Sequence, residues 1–166
     1  MFSHQTSVLP DPRDQVIDLN APPYEPQGLR AVQHLRYGES GRFTWHPPAV
    51  NLYRHDEQLT HRGLSAFILR ERLLDKRGVR VFNANLLDFF ARNPAIIPAE
   101  KAADEYPEIV FFGTIYSDLD GEFSVRTIRL IDALWVQGAL RLSESCGRRY
   151  YAALWNENWL DNVSLN

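Results

Sequence analysis

Four groups of side chains in this sequence could do chemistry. The densest is HDEQLTH, residues 55–61. His55, Asp56, Glu57 and His61, with His46 nearby, offer nitrogen and oxygen ligands to a metal or acid–base groups to a small hydrolase-like enzyme. The spacing is unfavourable. A His-Glu-x-x-His site needs two histidines four apart on one helix face, and His55 and His61 are six apart. The same segment also reads as a polar link before a helix, with Thr60 or Ser65 as its cap. The second group is the acidic tip Asp118-Leu119-Asp120-Gly121-Glu122. Calcium loops alternate carboxylates around a sharp bend and end on a bidentate Glu, and this tip has only two of the alternating acids. Asp-Gly between two apolar runs favours a hairpin turn instead.

The third is Cys146, in SESCGRRYY. Arg148 and Arg149 would favour its thiolate, but no neighbouring residue supplies the base a nucleophilic cysteine needs. The segment reads more simply as a turn. The fourth group is collective. Arg126, Arg129, Arg141 and Arg149 accompany Tyr151, Trp155 and Trp159 in the C-terminal part. Arg with Tyr and Trp is the composition of binding hot spots. On a sheet face it could also stack single-stranded nucleic-acid bases. These seven are the candidate binding residues. No G-x-S-x-G, phosphate-loop or G-x-G-x-x-G motif is present. The sequence therefore supports a non-catalytic binding domain with a protein partner. The alternatives are the hydrolase-like site at 46–61 and a single-strand nucleic-acid binder. No cofactor and no metal is expected.

These groups sit on elements that the patterning suggests. Residues 1–27 carry five prolines without helical periodicity and read as an extended N-terminal arm, with 28–166 as a single domain. Residues 31–37 and 42–46 look like a hairpin, and 49–54 like a third strand. Residues 63–78 form the clearest helix, with Gly78 as its C-terminal cap. A second helix spans 83–94 with Asn83 or Asn85 as cap, and a third begins at Pro98. Residues 108–116 read as one strand, apolar on both faces and therefore central. Strands at 122–131, 133–142 and 148–155 follow. The order implies α+β: an antiparallel sheet of about five to seven strands with two or three helices packed on one side.

The stretches VFNANLLDFFARNPAIIP (81–98) and FFGTIYSDLDGEFSVR (111–126) resemble a group of small bacterial proteins to which no activity is attached. The likeness rests on the N-A-N-x-L-D-F helix (Asn83, Ala84, Asn85, Leu87, Asp88, Phe89), the Ile97-Pro98 step, the G-T-I-Y strand (Gly113 to Tyr116), Asp120-Gly121 and Val125-Arg126. Two tryptophans usual in that group are missing here. The resemblance implies that these blocks form one unit and implies nothing about chemistry.

The bulk properties narrow the classes. A chain of 166 residues with one cysteine has no internal disulfide and is long enough to bury a core without one. Its formal net charge of −3 argues against non-specific nucleic-acid binding. No apolar run reaches the roughly 18 residues of a membrane span, and the start lacks a signal-peptide pattern, so a cytoplasmic location is expected. Arginine outnumbers lysine sixteen to two, which the base composition of a GC-rich genome would explain.

Overall fold

The structure is a computed structural model that describes residues 15–156. Residues 1–14 of the expected arm, and Trp159 in the tail, lie outside the described residues. Among the described residues, twelve strands and two α-helices form an α+β architecture: β1 (Val16–Asp18), β2 (Arg30–His34), β3 (Arg42–Thr44), β4 (Val50–Tyr53), β5 (Leu64–Ser65), α1 (Ala66–Asp75), β6 (Arg80–Val81), α2 (Ala84–Arg92), β7 (Glu108–Val110), β8 (Thr114–Ser117), β9 (Phe123–Ile131), β10 (Leu134–Arg141), β11 (Ser145–Cys146) and β12 (Tyr150–Trp155).

Eight strands make the main sheet. Long β9 organises it. One of its edges pairs along its length with β10. Its other edge is shared: β8 pairs with its first residues and β7 with a later stretch. β8 leads out to β2, and β7 leads to β12, which takes both β4 and β6. Every pairing is antiparallel except β7 with β12. Two small sheets, β1–β3 and β5–β11, lie beside it.

The expected single strand 108–116 is therefore two strands in different places. Gly113 is the reason. A Cβ there would lie 2.8 Å from the backbone N and Cα of Asn83. The chain can pass that close to the start of α2 only with no side chain, and it steps from the β7 position to the β8 position there.

The expected 31–46 hairpin does not form either. β2 pairs with β8, and β3 pairs with β1. The arm supplies β1 and buries Ile17 and Leu19 in the core. The expected third helix is a single 3₁₀ turn, Ala99–Lys101.

The helices cover opposite faces of the sheet rather than one. α1 is capped by Ser65 Oγ, which accepts from Ile68 N–H, and packs Leu69 and Leu73 on a face that includes Val110, Phe112, Val125 and Leu140. α2 is capped by Asn83 and ends before Pro94, as the residue preceding a proline resists helical ψ. It packs Leu86, Leu87, Phe89 and Phe90 against Ile109, Phe111, Ile128 and the arm. Nine residues are too few for a helix to persist alone. Burial of these side chains, at roughly 1.5–3 kcal/mol each, is what holds α2 in place.

Candidate functional site

The arginine and aromatic residues singled out in the sequence do not share one surface. Alternation along β9 and its register with β10 put Arg126 and Arg141 on the α2 face and Arg129 on the α1 face. Arg126 is 3% exposed. Its Nη2 is 2.8 Å from Asp88 Oδ1 on α2 and also donates to Gln137 Oε1, and its guanidinium lies over the Tyr24 ring. It is an internal strut between β9, α2 and the arm.

Tyr151 is buried. Its hydroxyl donates to Asp104 Oδ2 at 2.6 Å and accepts from Ala103 N–H. Arg54 and Arg148 complete that knot, and together with Tyr151 they hold the Asp104 carboxyl below its usual range despite its desolvation. Trp155 is half-buried, stacked on Phe82 and edge-on to Phe43. Both residues lie on β12, which is paired on both edges, and their rings turn toward the core. Of the six candidates among the described residues, Arg129 and Arg149 line a common cleft, described further below.

The segment 55–61 is used structurally. His55 Nδ1 accepts from Glu57 N–H, and Gln58 reaches back to His55 N–H, so the pair caps a 3₁₀ turn over Asp56–Leu59. Glu57 pairs with Arg72 at 2.6 Å. Among the described residues no three His, Cys, Asp or Glu come close enough to hold a metal.

The acidic tip is a hairpin turn. Gly121 takes φ +82°, and Asp118 Oδ1 accepts from the N–H groups of Asp120 and Glu122. Cys146 is a strand residue in β11 rather than a turn residue. It is fully buried, and burial, with Glu108 and Glu144 nearby, pushes its thiol up to about 12. A thiol so disposed is inert near neutral pH.

A cleft of about 850 Å³ lies on the α1 face. Phe67, Arg70 and Glu71 line it from α1, Val32 and Gln33 from β2, Ile115 from β8, and Phe123 and Leu142 from the strand ends. Val32, Phe67 and Phe123 are each about half exposed, at 53%, 53% and 51%. Arg70 is buried at the base with every arm engaged. Nε donates to Phe112 C=O, Nη1 to Glu71 and Nη2 to Gln33 Oε1 at 2.7 Å. Desolvation lowers its pKa, and Glu71 opposes that. The cleft thus combines apolar walls with a fixed polar floor, and Ser143 and Glu122 also line it. Sequence reasoning missed it. A signal existed: Phe67, Arg70 and Leu74, at i, i+3 and i+7, form a second stripe beside the buried Leu69–Leu73 stripe.

The residues behind the family resemblance form a separate structural knot. Asn83 Nδ2 donates to Leu19 C=O and Leu35 C=O, and Asn85 Nδ2 donates to Asp18 C=O and Ala21 C=O. Thr114 Oγ1 accepts from Ala84 N–H, and Tyr116 Oη donates to Tyr24 C=O. The two asparagines act as sockets for the backbone of the arm.

His34 sits in this knot, its Nδ1 2.8 Å from Thr114 Oγ1 and its Nε2 3.2 Å from Leu19 C=O. Asn83 Nδ2 also stands 3.2 Å from Nε2, so that nitrogen faces both an acceptor and a donor. Burial, with Arg36 nearby, holds His34 below its ordinary 6.5, against the pull of the backbone carbonyls. A depressed histidine pKa means that its contribution to stability is fully present above pH 6.5 and is lost as pH falls through the folded value. Urea midpoints measured from neutral to mildly acid pH should fall, and His34→Gln should flatten that part of the curve. An unchanged slope in the variant would show that His34 does not carry this pH dependence.

The chain has no match among family models, curated proteins or solved structures. Among the described residues no helix is long and apolar enough to cross a membrane.

Proposed function

We propose that this chain is a non-catalytic binding domain that takes an apolar segment of a protein partner in the cleft over Arg70. The observation that carries this reading is the 850 Å³ apolar cleft with half-exposed Phe67, Val32 and Phe123 at its rim. A contiguous apolar rim around a polar floor is characteristic of an interaction surface. β2 lies at the end of the sheet order and lines the cleft, so an extended segment has an open strand edge to pair with while its side chains enter the cleft. The charged residues that line the cleft are Glu71, Glu122 and Arg70. The excess negative charge favours a segment with a basic flank.

Selection of peptides from a random displayed library against the full chain tests this. Selected peptides should be apolar with Lys or Arg beside the core. Phe67→Asp should weaken them by about tenfold or more, roughly 1.4 kcal/mol, with little change in melting temperature because Phe67 is half exposed. Peptides that bind Phe67→Asp as well as the parent would overturn the proposal.

A further inference from the structure

On the α1 face, beside β10, lies a second cleft of different character. It is about 210 Å³ in volume, and Glu108, Arg129, Arg149, Glu144 and Tyr150 line it, with Gly138 at its wall. Two arginines face two glutamates, so its formal charge is zero.

Two of these groups are left incomplete. Glu108 is 6% exposed. Its Oε1 accepts the Thr127 hydroxyl at 2.7 Å, while its buried Oε2 has no hydrogen-bond partner. Arg149 Nη2 stands 3.6 Å from Oε2, an ion pair beyond hydrogen-bond reach. A buried carboxylate oxygen without a donor has lost its hydration uncompensated, which a ligand N–H would make good. Arg129 is the Cα partner of Glu108 across β7 and β9, on the same face, and among the described residues it makes no ion pair. Opposite residues in such a ladder lie roughly 5 Å apart. The cleft therefore holds, side by side, a carboxylate oxygen without a hydrogen-bond donor and a guanidinium without an ion pair among the described residues, and Gly138, facing Thr127, puts no side chain over them.

We propose that this cleft binds a free α-amino acid. The ligand ammonium donates to Glu108 Oε2, and the ligand carboxylate pairs with Arg129. A zwitterion is the ligand class that fills both vacancies without unbalancing a neutral site. A lone anion would have to sit against Glu108 and Glu144, and a lone cation against Arg129 and Arg149. The small volume and polar walls favour glycine or a short polar side chain.

Amide chemical-shift titration of the isotope-labelled full chain tests this, with each of the twenty amino acids, and with acetate, methylammonium and inorganic phosphate as single-charge probes. The expected result is saturable shifts around Gly138, Arg129 and Tyr150 for a short amino acid. Acetate, methylammonium and phosphate should bind about tenfold more weakly or worse. Arg129→Gln, which breaks no ion pair among the described residues, should abolish those shifts and leave the melting temperature unchanged. Glu108→Gln keeps an acceptor for Thr127 and should weaken binding. No saturable shift from any amino acid, phosphate binding as tightly as the amino acid, or Arg129→Gln binding as the parent does would each overturn the proposal.

Discussion

Asp88→Ala is expected to destabilise the fold by about 3 kcal/mol, measured by urea unfolding. Asp88 is the ion partner of Arg126, at 2.8 Å, and Arg126 is 3% exposed. Removing the carboxylate leaves a buried guanidinium, its Nη1 already without a hydrogen-bond partner, with Gln137, Tyr116 and the Tyr24 ring in place of water. Breaking a buried pair from one side typically costs about 3–5 kcal/mol, and the partial exposure of Asp88 places this case at the lower end. The double variant Asp88→Ala with Arg126→Met should recover much of the loss, because it removes the stranded charge as well. A single variant within about 1 kcal/mol of the parent would show that the pair is not the strut described here.

Gly113→Ala should cost a similar amount, about 2–3 kcal/mol, through sterics rather than charge. The added Cβ would meet Asn83 N and Cα and Tyr37 Oη, each at 2.8 Å. The segment has no room to retreat. Gly113 N–H donates to Phe82 C=O at 2.9 Å, and its own carbonyl accepts from Leu35 N–H at 2.8 Å. Yielding would shift Asn83, whose side chain caps α2 and holds Leu19. Hydrogen exchange should therefore accelerate at Leu19 and Leu35 as well as at Gly113. Gly147→Ala is the control: its Cβ would meet nothing within 4 Å and its φ is not positive, so it should change stability by less than about 0.5 kcal/mol. Equal losses in the two variants would contradict the close-approach argument.

Both predictions fall on residues of the N-A-N-x-L-D-F and G-T-I-Y blocks, and each of these residues serves the scaffold. Asn83, Asn85, Asp88, Gly113 and Thr114 join α2 to the sheet and to the arm. The clefts proposed to bind lie on the other face of the sheet, lined by residues of α1, β2, β7, β9 and β10. Sequence patterning drew attention to the dense, unusual blocks. Such blocks are dense because many backbone groups must be satisfied at one junction, which is a folding constraint.

Local rules were legible where a neighbour in sequence is also the physical partner. Ser65 and Asn83 cap their helices through N–H groups two or three residues on. Asp118 and Gly121 close the β8–β9 turn within five residues. The two-faced apolar character of 108–112 was readable as well, and it already implied cover on both sides of the sheet. Partner choice was not legible. Alternation in 31–34 and 42–44 specifies a strand and one buried face, and it is the same whether β2 pairs with β3 or with β8. Nor does the spacing of Arg126, Arg129, Tyr151 and Trp155 reveal which face of which strand is roofed by a helix.

The sequence by itself determined the α+β class, a short choice of N-cap residues for each helix, the acidic turn and the two-faced apolar character at the start of 108–116, because each depends on periodicity or on contacts a few residues long. The C-terminal cap expected at Gly78 is not used, since α1 ends at Asp75 with Lys76 as its cap. Only the tertiary structure decided that the two helices cover opposite faces, that Arg126 and Tyr151 are internal struts, and that Glu108, Arg129 and Arg149 meet in one cleft. Those outcomes depend on which strands pair, and pairing is set by burial summed over the whole sheet.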